Sequence, residues 1–168
     1  STIHKTWVLS RLAIELESLP KAYSRMSVET WVDGVMRFFT HRNFKMTDAE
    51  TGVVYGYGRS VWAMIDTETR QPADILAVKE GSIVNYVDDV TPCPIDASSR
   101  VKIGGEADLV GSVETHYSDV DINGHINSVK YLEHLFDLMT ESWHQVYRVQ
   151  RVDVAYVAES HFGDVLHY

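Results

Sequence analysis

Residues 6–19, TWVLSRLAIELESL, set Leu12, Ile14 and Leu16 in alternation with Ala13, Glu15 and Glu17. A period of two marks a strand with one covered face, because successive side chains of extended backbone point to opposite sides. Two further stretches have the same character. SVETWVDGVMRFFTHRNFKMTD (27–48) is rich in β-branched and aromatic residues, and Gly34 in its middle hints at a bulge or bend. VVYGYGRSVWAMID (53–66) follows the turn cluster TDAETG (47–52) and closes on the polar turn DTETRQP. Connections this short join neighbours, so these strands pair antiparallel. At 45% apolar over 168 residues, the chain holds enough apolar material to cover such a sheet.

The pattern then changes. Residues 75–112 mix Pro, Asp and Ser without a sustained period, as in SIVNYVDDVTPCPIDASSR, and the linker proper falls at 89–112. A short strand SVETHY (112–117) leads into a polar cluster. From about Asn123–His125 to Met139 the spacing predicts a helix, with Ile126, Val129, Leu132, Leu135, Phe136 and Met139 forming one buried stripe. RVQRVDVAYVAES (148–160) reads as strand again, HFGD (161–164) as a turn, and VLHY as the start of another strand. SRLAIELESLP (10–20) and QRVDVAYVAES (150–160) form a faint repeat, with Arg11 over Arg151, Ile14 over Val154 and Leu16 over Tyr156. The expectation is two copies of one α+β unit, at 1–88 and 113–168. The first lacks a helix and the second lacks later strands, which points to a piece of a longer protein.

A net charge of −9 argues against non-specific nucleic-acid binding and a membrane-surface role. One cysteine permits no internal disulfide, and Cys93, between two prolines, reads as an inert loop thiol in a reducing compartment. No apolar run approaches the ~18 residues of a membrane span. The histidines His116, His134, His144, His161 and His167 are scattered without metal-ligand spacing, and no Gly-rich phosphate loop is present. Neither a metal nor another cofactor is expected. His134, beside Glu133 and Asp137, reads as part of the polar face of the helix.

The cluster itself, YSDVDINGHIN, gathers Asp119, Asp121, Asn123, Gly124, His125 and Asn127 ahead of the apolar run. Capping and turn formation account for one or two of them, since Asp and Asn cap helices and Gly frees a turn. They do not account for a histidine at the start of a helix, where the dipole disfavours imidazolium. A neutral His beside carboxylates and free backbone N–H groups suits acyl-transfer chemistry. Both readings stand on spacing alone.

DVDINGHINSVKYLEHLFD resembles the signature of acyl-acyl carrier protein thioesterases, whose D-x-N-x-H-x-N-x-x-K-Y run opens the central helix of a hotdog domain. The resemblance extends to ETGVVYGYGRSVWAMIDTETRQPADI, to TWVLSRLAIELESLP and to VAYVAES, and so covers nearly the whole chain. It implies an α+β fold of two tandem hotdog units, each a curved antiparallel sheet around a helix. It implies hydrolysis of fatty acyl-acyl carrier protein thioesters in fatty acid biosynthesis. Acyl carrier protein would be the partner, and a homodimer in the cytoplasm (or plastid stroma, in a plant) the expected form. Matched position by position, the site residues are Asp121, Asn123, His125 and Glu159. Ser160 stands where plant members carry Cys, which removes a cysteine nucleophile there and favours water as the attacking group. Oxyanion binding would fall to backbone N–H groups near Gly124 and His125. An acyl-CoA thioesterase, a hotdog dehydratase, or a hotdog that merely binds acyl thioesters are the rival readings.

Overall fold

The structure, a computed structural model, describes residues 4–101 and 104–168. The chain forms two compact units. One comprises the described residues up to Val101 together with Val149–Ala155, and the other those from Gly104 to Arg148 together with Tyr156–Tyr168.

The first unit is built on four long strands: β1 (Lys5–Leu16), β2 (Met26–Val35), β3 (Phe39–Asp48) and β4 (Val54–Asp66). With β6 (Arg151–Ala155) they make one sheet in the order β2-β3-β4-β1-β6, every pairing antiparallel. The stretch 27–48 turns out to be a hairpin, reversed at 36–38, where the Met36 N–H donates to the Phe39 carbonyl at 2.7 Å. The register between β2 and β3 slips between Val32 and Gly34, the irregularity that a mid-strand glycine signals. Gly56 has a different reason to be glycine: a Cβ there would lie 2.2 Å from the Glu15 carbonyl oxygen on β1. Met64, Ala73 and Ile75 form a buried core cluster, with Val35, Val78 and Ile83 packed against it.

The β1–β6 pairing runs Arg11 to Ala155 and Glu15 to Arg151. Arg151 donates to Glu15 at 2.9 Å and to Asp153 at 2.7 Å, which fastens the sheet edge. The sequence assigns 148–160 to the second unit, yet the hydrogen bonds of residues 151–155 run to β1, because a short strand pairs wherever an edge is offered. The linker is held too. Its carbonyls at Thr91 and Cys93 accept from Trp31 (3.1 Å) and Arg59 (2.6 Å), and the Ser99 N–H donates to Asp153 at 2.9 Å.

In the second unit, β5 (Ser112–Glu114) pairs antiparallel with β7 (Val165–His167). Helix α1 spans Lys130–Asp137, and α2 spans Glu141–Val146 behind a Thr140 N-cap whose hydroxyl accepts from the Trp143 N–H. α1 thus starts later than the spacing predicts. Ile126 is buried (5% exposed) but lies in the loop ahead of it, and Val129 is exposed, so the stripe begins at Leu132. Leu132, Leu135, Phe136 and Met139 are half-buried.

Candidate active site

The polar cluster is a loop, not a helix start. Val120 and Ile126 form an antiparallel bridge, with the Asp121 N–H on the His125 carbonyl at 2.8 Å and the Asn127 N–H on the Asp119 carbonyl at 2.8 Å. The tip is a turn closed by the Gly124 N–H on the Asp121 carbonyl at 3.1 Å, and Gly124 sits at φ +82°. Asp at the first position of a turn and Gly at the fourth is the composition such a turn requires. Asn127 then ends the loop, its side chain accepting from the Val129 N–H at 3.0 Å.

Asp121 organises this tip. Its Oδ1 accepts from the backbone N–H groups of Asn123 (2.7 Å) and His125 (3.3 Å), and the Asn123 amide reaches its Oδ2 at 3.4 Å. Burial pushes the Asp121 carboxyl up, but these donors and the nearby His125 outweigh it and hold the group below its ordinary value. The N–H groups of Gly124 and His125, expected to bind an oxyanion, are both turned onto Asp121.

Glu159 approaches from the segment after Tyr156. The Ile126 N–H donates to the Ser160 carbonyl at 2.8 Å, which fastens that segment to the loop. The result is that His125 Nε2 lies 3.5 Å from Glu159 Oε2, with both side chains about one-third exposed, at 31% and 37%. All four residues expected at the site, Asp121, Asn123, His125 and Glu159, therefore belong to one unit. Asp121 and Asn123 join His125 through the turn, and Glu159 joins it through space. No described group hydrogen-bonds the Ser160 hydroxyl.

Two features escape the sequence reading. His134 is buried rather than on the polar face. Its Nε2 lies 3.3 Å from Asp119 Oδ1, and their side chains are 10% and 7% exposed. Asp119 also accepts from the His116 N–H at 2.8 Å. That backbone bond, then His134, hold the Asp119 carboxyl below its ordinary value against the opposing effect of burial. The signal was present: Tyr131, His134, Leu135 and Leu138 follow the i, i+3, i+4, i+7 pattern of a packed face. The second feature is His161, whose ring meets that of His125 edge-on, with centroids 5.2 Å apart and planes at 78°. Among the described residues no group of three or more His, Cys, Asp or Glu side chains is arranged to hold a metal ion, and no helix is long and apolar enough to cross a membrane.

Comparison with known proteins bears on the chain as a whole. Residues 1–79 match the family model for the acyl-ACP thioesterase N-terminal domain, and residues 105–168 match that for the C-terminal domain. The chain is 31% identical over 129 residues to the chloroplastic palmitoyl-acyl carrier protein thioesterase of Arabidopsis thaliana, covering 75% of this chain and 31% of that protein. It is 24% identical to the chloroplastic dodecanoyl-[acyl-carrier-protein] hydrolase of Cinnamomum camphora, covering 95% of this chain and 43% of that protein. It therefore spans well under half the length of these relatives. Among solved structures, an acyl-ACP thioesterase from Bacteroides thetaiotaomicron superposes with a TM-score of 0.88 at 50% identity, over 98% of this chain and 65% of that one. The 12:0-ACP thioesterase of Umbellularia californica shares the fold, with a TM-score of 0.80 at 19% identity over 96% and 60%. The α+β hotdog architecture expected from the sequence is the one these structures share. On the two matched domains and the extent of these likenesses, the chain belongs to the acyl-ACP thioesterase family.

Proposed function

We propose that the protein to which this chain belongs hydrolyses fatty acyl-acyl carrier protein thioesters, releasing free fatty acids. Family membership supports the reaction class. The observation that carries the reading is the approach of His125 Nε2 to Glu159 Oε2 at 3.5 Å, beside a loop ordered by Asp121. A carboxylate and an imidazole this close come into proton-sharing distance with a small approach on substrate binding, which is the equipment for drawing a proton from water as it attacks a thioester carbonyl. Both groups are partly exposed, so water reaches them. Asn123 lies at the exposed tip; among the described residues its side-chain amide meets only Asp121, and in this scheme its second N–H is the donor to the carbonyl oxygen or the attacking water. That assignment replaces the Gly124 and His125 N–H groups, which are already engaged. No described residue hydrogen-bonds the Ser160 hydroxyl as a base, so water is the nucleophile in this scheme.

The partner in this reading is acyl carrier protein, whose phosphopantetheine arm delivers the acyl group. In this reading the protein is a homodimer in a compartment where fatty acids are made. The plant relatives are chloroplastic.

The test is hydrolysis by the full-length protein of acyl-carrier-protein and acyl-CoA thioesters of several chain lengths, with light scattering for oligomeric state. Faster turnover of carrier-protein thioesters is expected. Turnover of CoA thioesters alone would favour an acyl-CoA thioesterase, and binding without turnover would favour a non-catalytic acyl-thioester protein. Dehydration of a 3-hydroxyacyl thioester in place of hydrolysis would favour a dehydratase.

A further inference from the structure

We propose that His161 is a positioning residue whose imidazole, packed edge-on against His125, holds the His125 ring in the orientation that faces Glu159. The proposal rests on the reading of His125 and Glu159 as the working pair of a thioesterase.

The need for such a residue follows from how few contacts of the His125 ring are present among the described residues. His125 Nε2 is 3.5 Å from Glu159 Oε2, longer than a strong charge-assisted hydrogen bond, and about a third of the side chain is open to solvent. An imidazole in that setting can turn about its two side-chain torsions. A second ring at 5.2 Å and 78° removes much of that freedom, because edge-to-face packing blocks the rotamers that would swing His125 away.

His161 is well placed to act as this stop. Its N–H donates to Asp164 Oδ2 at 2.7 Å, and its carbonyl accepts from the Thr115 hydroxyl at 2.7 Å and from the Asp164 N–H at 3.2 Å. Thr115 is 1% exposed, so this anchor lies in the interior of the unit. Gly163, at φ +83°, lets the turn close. The backbone of His161 is thus fixed on both sides, while its side chain projects, 61% exposed, with Nδ1 4.0 Å from Asp164 Oδ2 and its ring against that of His125. Glu159 and His161 flank Ser160, whose carbonyl is tied to the Ile126 N–H. One anchored segment therefore delivers both the carboxylate and the ring that faces the imidazole.

The experiment uses the full-length protein and its His161→Ala and His161→Phe variants. In His161→Ala, kcat is expected to fall about three- to tenfold, the range an edge-to-face aromatic pair supplies, with KM little changed. His161→Phe, which keeps the ring but has no titrating nitrogen, should restore most of the loss. Nuclear Overhauser contacts between the His125 ring and the Glu159 side chain are read in parallel. They should weaken in His161→Ala and persist in His161→Phe. If His161→Ala melts below the assay temperature, His161→Leu takes its place. The proposal is overturned if removing the ring leaves kcat unchanged, or if both variants are equally impaired while the His125–Glu159 contacts persist in each. Should the wild type hydrolyse no thioester, the functional reading fails, and the Overhauser comparison still decides the role of His161.

Discussion

His125 and Glu159 meet at 3.5 Å although a helix pair and the strand β6 separate them along the chain. Only the fold brings them together, and the Ile126 to Ser160 hydrogen bond sets the register in which they meet. If the pair shares the proton of an attacking water, His125→Ala and Glu159→Gln should each lower kcat by a factor on the order of 10²–10⁴. The double variant should be little worse than the worse single one, because groups acting as a unit are not additive. Ser160→Ala should do far less. Steady-state kinetics on the full-length protein checks all four. An abolished Ser160→Ala alongside a nearly normal Glu159→Gln would sink the water mechanism.

Gly124 occupies the left-handed region at φ +82°, with open space where a Cβ would project. Gly124→Ala should therefore cost about 1–2 kcal/mol from backbone strain alone. Gly124→Asn should cost less, since Asn tolerates that region. Urea unfolding of the three proteins, at matched m-values, gives the order. Equal losses for Ala and Asn would mean that packing, not conformation, sets the cost.

The buried pair of His134 and Asp119 makes a different demand. His134→Ala removes the imidazole that meets Asp119 Oδ1 in the interior, and a loss of about 1–3 kcal/mol is expected. A stability change within error in chemical denaturation would show that the pair is dispensable.

Asp48 gives a pH prediction with a defined sign. The Tyr55 hydroxyl (2.7 Å) and the backbone N–H groups of Thr51 and Glu50 hold its carboxyl down at about 2. An unfolded Asp titrates near ~3.9. The folded value is the lower one, so the stability it contributes is fully present above ~4 and is lost as pH falls toward 2. Asp48→Asn should be less stable than wild type at neutral pH, and the gap should close across that window. A gap that is constant from pH 6 to pH 2 would be the contrary result.

The long strands were legible because alternation over ten or more residues is a local signal, repeated at β1 and β4. The hairpin turn in 27–48 was not, since apolar residues run through it without a Gly-Pro break. The start of α1 was misplaced for a physical reason. Asp, Asn and Gly ahead of an apolar run serve equally well as caps and as turn residues, and only the Val120–Ile126 bridge distinguishes the two. The D-I-N-G spacing did carry the turn signature. The four proposed site residues rest on family likeness, and the proximity of Glu159 to His125 depends on long-range pairing that no local pattern encodes. His161 left no trace in periodicity, because its contact with His125 is made by a turn rather than by a helix or strand.

β6 has a practical consequence for anyone who wishes to dissect this protein. Its partner β1 lies near the other end of the chain, while the residues on both sides of β6 belong to the second unit. A single cut in the 89–112 segment therefore cannot release two self-sufficient pieces. The amino-terminal piece would lose its edge strand, and the carboxy-terminal piece would carry an orphan one, with unpaired backbone groups inviting self-association. Shuffling these halves between homologues by simple fusion should accordingly give insoluble chimaeras unless residues 149–155 travel with the sheet they complete.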